Sequence, residues 1–247
     1  MSLLNVKNIT GGYSRKPVIH DIDFEVNEGE LVALIGLNGA GKSTTIKHII
    51  GLLEQQKGTI TLGGTTVYED PEVFRQKLSY IPETPVLYEE LTLEEHFALT
   101  AMMYNIDEKE AEKRKEALLK EFRMEKRLQW FPAHFSKGMK QKVIIMCAFL
   151  VEPKLYIIDE PFVGLDPIAI QSLLNLLTKE KQKGAGILMS THILATAERY
   201  CDRFIIIHNG KIIAKGTLEE LRKLTGMPNA TLDDMYLFLT KGHDEDE

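Results

Sequence analysis

Leu31-Val32-Ala33-Leu34-Ile35 runs without a break into Gly36-Leu37-Asn38-Gly39-Ala40-Gly41-Lys42-Ser43-Thr44, and this junction fixes the kind of fold to expect. The five apolar residues in succession read as a buried strand. The next nine have the spacing GxxxxGK[ST], in which Gly36, Gly39 and Gly41 permit a tight backbone path. Successive N–H groups from Asn38 through Gly39, Ala40, Gly41, Lys42, Ser43 and Thr44 can then wrap the α and β phosphates of a nucleotide. Lys42 supplies a mobile cation for the β and γ phosphates, and the Ser43 hydroxyl is placed to coordinate Mg²⁺. Residues 43–50 carry helical spacing and Gly51 suits a helix end, so the order strand, glycine loop, helix is complete.

On either side of this unit, residues 4–10 and 21–26 alternate as strands, and residues 58–62 and 65–68, flanking Gly63-Gly64, predict a hairpin that closes a first β-rich layer. From about residue 70 to 151 the periodicity turns helical, with segments at 92–104, 108–122 and 137–151. Pro82-Glu83-Thr84-Pro85 and Trp130-Phe131-Pro132 interrupt it. Strand signals return at 155–158, 186–190, 204–207 and 211–215, with helical stretches between them. Residues 232–239 read as a short amphipathic helix and 242–247 as a solvated acidic tail, with no internal repeat. The expected division is an α/β nucleotide-binding core with a β subdomain (1–83 and 152–224), a helical subdomain (84–151), and a C-terminal helix with tail (225–247).

Bulk properties narrow the function. With 247 residues, 44% of them hydrophobic and 27% charged, the chain can bury a sizeable core. A net charge of -6 argues against a general nucleic-acid binder, which needs a basic surface to neutralise phosphates. Two cysteines, Cys147 in an apolar run and Cys201 beside Asp202, offer neither a disulfide framework nor a zinc site and read as packing residues. The first residues lack the pattern of a secretion signal, and the longest apolar run, around 143–151, is less than half of the roughly 20 residues needed to cross a bilayer. A cytoplasmic location is therefore expected, with any link to a membrane made through a partner.

A metal-bound triphosphate also needs a carboxylate for the metal and a group to orient the attacking water, both at the end of a second strand. Leu155-Tyr156-Ile157-Ile158-Asp159-Glu160 supplies them: Asp159 for Mg²⁺ and Glu160 as the acceptor of the water's proton. With these acids in place the chain resembles the ATP-binding cassette (ABC) family, because Asp159-Glu160-Pro161 is followed by Gly164-Leu165-Asp166-Pro167 and then by Ser190-Thr191-His192. The resemblance covers nearly the whole length. It implies a P-loop NTPase fold of the ABC-ATPase kind, with a RecA-like core, an antiparallel β subdomain and a helical subdomain. It also implies that 164–167 signal between two nucleotide sites and that His192 contacts the γ phosphate, where it can hold Glu160 and the water in line.

The same resemblance places an aromatic residue on adenine at Tyr13, where packing within the turn Gly11-Gly12-Tyr13-Ser14 is the other reading. A family signature, usually Leu-Ser-Gly-Gly-Gln, corresponds here to Phe135-Ser136-Lys137-Gly138-Met139-Lys140-Gln141-Lys142. Ser136 and Gly138 persist at a helix N-terminus and are expected to grip the γ phosphate held by a second copy; Lys137 and Met139 depart from the pattern. Glu83 stands where the family usually has glutamine, near Mg²⁺ and the attacking water, and residues 84–92 lie where the family docks a short helix of a membrane subunit. Within the family, Ile81-Pro82-Glu83-Thr84-Pro85-Val86-Leu87-Tyr88 and residues 130–142 resemble the ATPase subunits of Ecs-type bacterial transporters. The implied activity is ATP hydrolysis with Mg²⁺ by a head-to-tail dimer. It would drive an integral membrane subunit, with an export role, from the inner face of the cell membrane. A soluble ABC ATPase acting on nucleic acid or ribosomes is the alternative.

Overall fold

The computed structural model describes the backbone of residues 2–244 and the side chains of residues 2–241. The chain begins β1 (Ser2–Gly11), β2 (Ile19–Asn27), β3 (Leu31–Ile35), α1 (Lys42–Ile49), β4 (Lys57–Leu62), α2 (Pro71–Gln76) and β5 (Leu78–Ile81). Three helices come next: α3 (Leu93–Met103), α4 (Glu108–Phe122) and α5 (Lys137–Val151). It then continues β6 (Leu155–Asp159), α6 (Pro167–Gln182), β7 (Gly186–Thr191), α7 (Leu194–Tyr200), β8 (Arg203–His208) and β9 (Lys211–Gly216). It closes with α8 (Leu218–Thr225) and α9 (Leu232–Asp244).

β1 lies between β2 and β4 in a three-stranded antiparallel sheet. Alternation buries Leu4 and Val6 of β1, and the next buried apolar residue is Ile9 rather than residue 8. That change of parity coincides with a register shift between Val6 and Ile9 and with Asn8 in a left-handed conformation, a bulge that keeps Ile9 on the core face. The second sheet has six strands in the order β5-β6-β7-β3-β8-β9, parallel through β8 with β9 antiparallel at the edge. Every residue of β3, β6 and β7 is buried, as strands covered on both faces must be.

Strand alternation divides these central residues between opposite layers. Val32, Leu34, Leu155, Ile157 and Leu188 pack with α1 and the small sheet. Tyr156, Ile158, Ile187 and Met189 pack with α3, α4, α5 and α6. Ala33, Ile35, Phe204 and Ile206 form a third cluster beneath α7, α8 and α9. Because the strands are parallel and nearly level, their C-terminal ends come out along one edge: Ile35 sits opposite Thr191, and Asp159 opposite Ser190. The loops after β3, β6 and β7 therefore meet there, where open α/β sheets place their sites.

The α/β fold with an antiparallel sheet, a mixed sheet and flanking helices is the one expected, with local differences. Residues 65–68 do not form a second hairpin strand: only Leu62 and Thr65 bridge before the chain turns into α2, whose start is capped by Asp70. Within the stretch read as helical, residues 78–81 form β5, the edge strand paired in parallel with β6. Four residues are too few to show a period, and the sheet partner decides their conformation. The C-terminal helix continues to Asp244, beyond 239; the rest of the expected tail, 245–247, lies outside the described residues. Cys147 and Cys201 are free thiols whose ionisation burial opposes, Cys147 being pushed up to about 12, which suits packing rather than reactivity.

A capping box starts α3: Thr92 accepts from the Glu95 N–H, and Glu95 accepts from the Thr92 N–H at 2.7 Å. Thr92→Ala is expected to cost about 1 kcal/mol. Thermal unfolding should register this as a midpoint lowered by about 2–4 °C.

Candidate functional site

Gly36–Thr44 leaves β3 and enters α1 as a tight loop clasped from two sides. The Ala40 carbonyl accepts from the Gly210 N–H at 2.9 Å, tying the loop to the β8–β9 turn. In that turn Asn209 and Gly210 both have positive φ, the geometry that an Asn-Gly pair favours in a two-residue hairpin. Gly41, with φ 112°, starts α1, and a Cβ there would meet the Ile19 side chain at 2.9 Å, so both the conformation and the space require glycine. No side chain caps the first turn of α1. Its N–H groups therefore remain directed at whatever the loop encloses.

Lys42 is 5% exposed, and its ammonium is enclosed by the carbonyls of Gly36 at 2.8 Å and Leu37 at 3.3 Å and by Glu160 Oε1 at 3.3 Å. Glu160 comes directly after the last residue of β6 with φ 46°, a left-handed conformation that side chains rarely adopt. That turn directs its carboxylate back across the strand ends. Oε2 accepts from His192 Nδ1 at 2.8 Å, while Oε1 is buried, close enough to Lys42 for charge attraction but without a hydrogen bond. With Nδ1 engaged on the carboxylate, Nε2 of the half-exposed His192 is the ring atom left to serve another partner. Asp159, one residue earlier, accepts from the Ser190 hydroxyl at 2.5 Å, and the same hydroxyl accepts from the Glu160 N–H at 3.1 Å. Ser190 thus holds both acids at the junction of β6 and β7.

Two tyrosines flank this mouth. Tyr80, at the end of β5, has its phenol raised above its usual range first by burial and then by the negative charges of Asp159 and Glu83. Exposed Glu83 and buried Asp159 are therefore both within electrostatic reach of one ring. Tyr13 lies over α1, where Lys47 donates to its hydroxyl at 3.1 Å; that bond lowers the phenol's pKa. Its ring is 60% exposed. A buried lysine, an orphaned carboxylate oxygen, open helix N–H groups and two neighbouring acids fit a magnesium-bound triphosphate.

The signature residues stand apart from the Lys42 cluster. Ser136 is the exposed N-cap of α5; its hydroxyl accepts from the Met139 N–H and, among the described residues, bonds to none of Lys42, Glu160 or His192. A Cβ on Gly138 would collide with the carbonyl oxygen of Gly164, so α5 and the loop at 164–167 touch backbone to backbone. Lys142 pairs with Asp166 at 2.8 Å across the same contact. Gln141, 1% exposed, donates to the Pro82 carbonyl at 3.3 Å and so fixes the residue before Glu83. Sequence reading missed these partners. Asn209-Gly210 carries a local turn signal, whereas the Gln141 and Lys142 contacts join residues distant in sequence and leave none.

A family model described as ABC transporter matches residues 19–163. The chain belongs to the ABC transporter family. The ATP-binding protein EcsA of Bacillus subtilis is 65% identical over 99% of this chain and 100% of its own length. An uncharacterized ABC transporter ATP-binding protein, YthP, also from Bacillus subtilis, is 44% identical over 98% of each chain. A solved structure of an ATP-binding subunit of an ABC transporter superposes with a TM-score of 0.94 at 62% identity, covering 96% of this chain and 99% of that one. The chain is thus an ABC transporter ATP-binding subunit, a class for which ATPase activity, ATP with Mg²⁺ and membrane-subunit partners are the rule. Among the described residues, no helix is long and apolar enough to cross a membrane. The alternative of an ABC ATPase acting on nucleic acid or ribosomes finds no support in these relatives.

Gly138→Ala is expected to push the start of α5 away from residues 164–166. Steady-state phosphate release should fall by roughly tenfold, equivalent to about 1.4 kcal/mol. Calorimetric binding of ATP should stay within about a factor of two, a difference under about 0.5 kcal/mol.

Proposed function

We propose that this subunit hydrolyses ATP in a head-to-tail pair with a second copy and thereby drives export by an integral membrane partner. The observation that carries the reading is the joining of Lys42, Glu160 and His192 at the C-terminal ends of three adjacent parallel strands. Lys42 exchanges its pairing with Glu160 for the β and γ phosphates. The released carboxylate then orients the attacking water and takes its proton, while His192 holds the carboxylate through Nδ1 and meets the γ phosphate with Nε2. Mg²⁺, held by Ser43, Asp159 and Glu83, would offset charge on the phosphates. Residues 38–44 cradle the phosphates, and the exposed ring of Tyr13 stacks on adenine.

Ser136 and Gly138 complete the site of the second copy, which their separation from Lys42 in one chain supports. ATP then acts as a removable link between copies, favouring the closed pair by its contacts with both. The proposed division remains a core of 1–83 with 152–224, a helical subdomain of 84–151 and a C-terminal part of 225–247. Between the first two, a groove of about 650 Å³ is bordered by Leu52, Tyr80, Met103, Tyr104 and Ile144. Leu52 and Met103 are exposed there, as are Val86 and Tyr88 in the segment before α3. An apolar groove of this form suits a short helix of the membrane partner. Docking would hold the subunit on the inner face of the membrane, and the export direction rests on the Ecs-type resemblance.

Glu160→Gln tests the catalytic assignment: turnover is expected to fall by roughly 10²–10⁴-fold, the usual worth of a general base. An ATP-bound dimer should accumulate in size-exclusion chromatography, and normal phosphate release by this variant would overturn the role. Glu83→Gln is expected to alter both metal dependence and stimulation by the membrane partner, because an ionised carboxylate binds Mg²⁺ more directly yet repels the γ phosphate. Unchanged ATPase activity and unchanged stimulation would remove Glu83 from the site.

A further inference from the structure

Tyr236 belongs to none of the motifs above and lies in the last helix, yet its hydroxyl reaches the phosphate loop. The Leu37 N–H donates to Tyr236 Oη at 3.1 Å. That N–H belongs to the same peptide unit as the Gly36 carbonyl, which accepts from Lys42 Nζ at 2.8 Å. In a trans peptide the two groups point in opposite directions, so Tyr236 and Lys42 hold one peptide plane from its two sides.

The helix that carries Tyr236 is anchored independently. The ring is 7% exposed and packs in the cluster of Ala33, Ile35, Phe204, Ile206 and Met235. At the start of α9 the Leu232 N–H donates to Glu198 Oε2 at 2.8 Å, and Glu198 belongs to α7, which begins two residues after His192. Buried Ala197 of α7 packs in the same cluster. One helix thus bonds to the loop that carries Lys42 and to the helix just beyond His192. Apolar packing alone would be met by a phenylalanine ring; what the hydroxyl adds toward the loop is the bond from the Leu37 N–H.

We infer that Tyr236 is a positioning residue for the phosphate loop and that α9 braces this loop against the His192 segment. The inference rests on the reading that the loop binds ATP. When Lys42 leaves the Gly36 carbonyl for the phosphates, the bond from Tyr236 keeps the Gly36–Leu37 peptide from rotating, so the N–H groups beyond it stay aimed at the ligand. The brace should therefore act on nucleotide affinity more than on the chemical step.

The test compares the full chain with Tyr236→Phe, which retains the ring and removes the hydroxyl. A second variant, Thr240→Val, removes the Thr240 hydroxyl bond to the Tyr236 carbonyl at 2.9 Å within the same helix but away from the loop. Equilibrium binding of MgATP, steady-state KM and kcat, and the unfolding midpoint are measured for all three. Tyr236→Phe is expected to raise Kd and KM roughly three- to tenfold, with kcat changed by less than about a factor of two. Thr240→Val should lower the unfolding midpoint and leave Kd as in the wild type. A wild-type Kd in Tyr236→Phe would overturn the inference, as would an equal rise in Kd for Thr240→Val at a comparable loss of stability. Failure of the unaltered protein to bind MgATP would overturn the reading of the site itself, and the brace with it.

Discussion

A lysine ammonium taken almost wholly out of water must be surrounded by oxygen, and the enclosure of Lys42 is the constraint that organises the site. Two of its partners, the Gly36 and Leu37 carbonyls, are local to the loop and result from its tight path. The third, Glu160, arrives from another strand and needs a left-handed backbone to turn inward. The strand order explains how it arrives. β7 separates β3 from β6 by a single position and contributes Ser190, which holds both acids, and Thr191, which leads to His192. The same strand pairing that satisfies a buried charge therefore brings these polar groups together, and the left-handed backbone falls at the residue whose carboxylate meets both Lys42 and His192.

The second dependence runs through α5. Its first two turns, capped by Ser136 and carrying Gly138 and Lys142, touch the 164–167 loop through the Gly138 contact and the Lys142–Asp166 pair. Between Gly138 and Lys142, buried Gln141 reaches the carbonyl before Glu83. A rigid helix thus contacts both loops that depart from β5 and β6. Displacement of α5 has to disturb the environment of Glu83 and of Asp166 together, because Gln141 and Lys142 are adjacent residues. This supplies a physical route between the helical layer and the loops that follow β5 and β6. It requires no element beyond packed side chains and two hydrogen-bonded loops.

Much of the site was legible because its signals are local. The glycine spacing of 36–44, the apolar run ending in Asp159-Glu160 and the Ser190-Thr191-His192 stretch each state a strand end and its chemistry within a few residues. The long helices at 108–122 and 137–151 were equally local and appear with the expected limits. β5 was not legible, since four residues carry no period and obtain their partner only from β6. The hairpin expected at 65–68 failed for the converse reason: Gly63-Gly64 permits a turn, but only Thr65 finds a bridging partner before Asp70 caps a helix.

Residue type at short spacing was enough to determine the strand–loop–helix unit, the identities of the acids and the histidine, and the family. Which oxygen each cation meets was decided only by the tertiary structure. It set Lys42 against Glu160 and brought Tyr236 onto the Leu37 N–H from 199 positions away. Such contacts depend on how parallel strands and their covering helices close on one another. A hydrogen bond specifies the geometry of its two ends and leaves no mark on the chain between them.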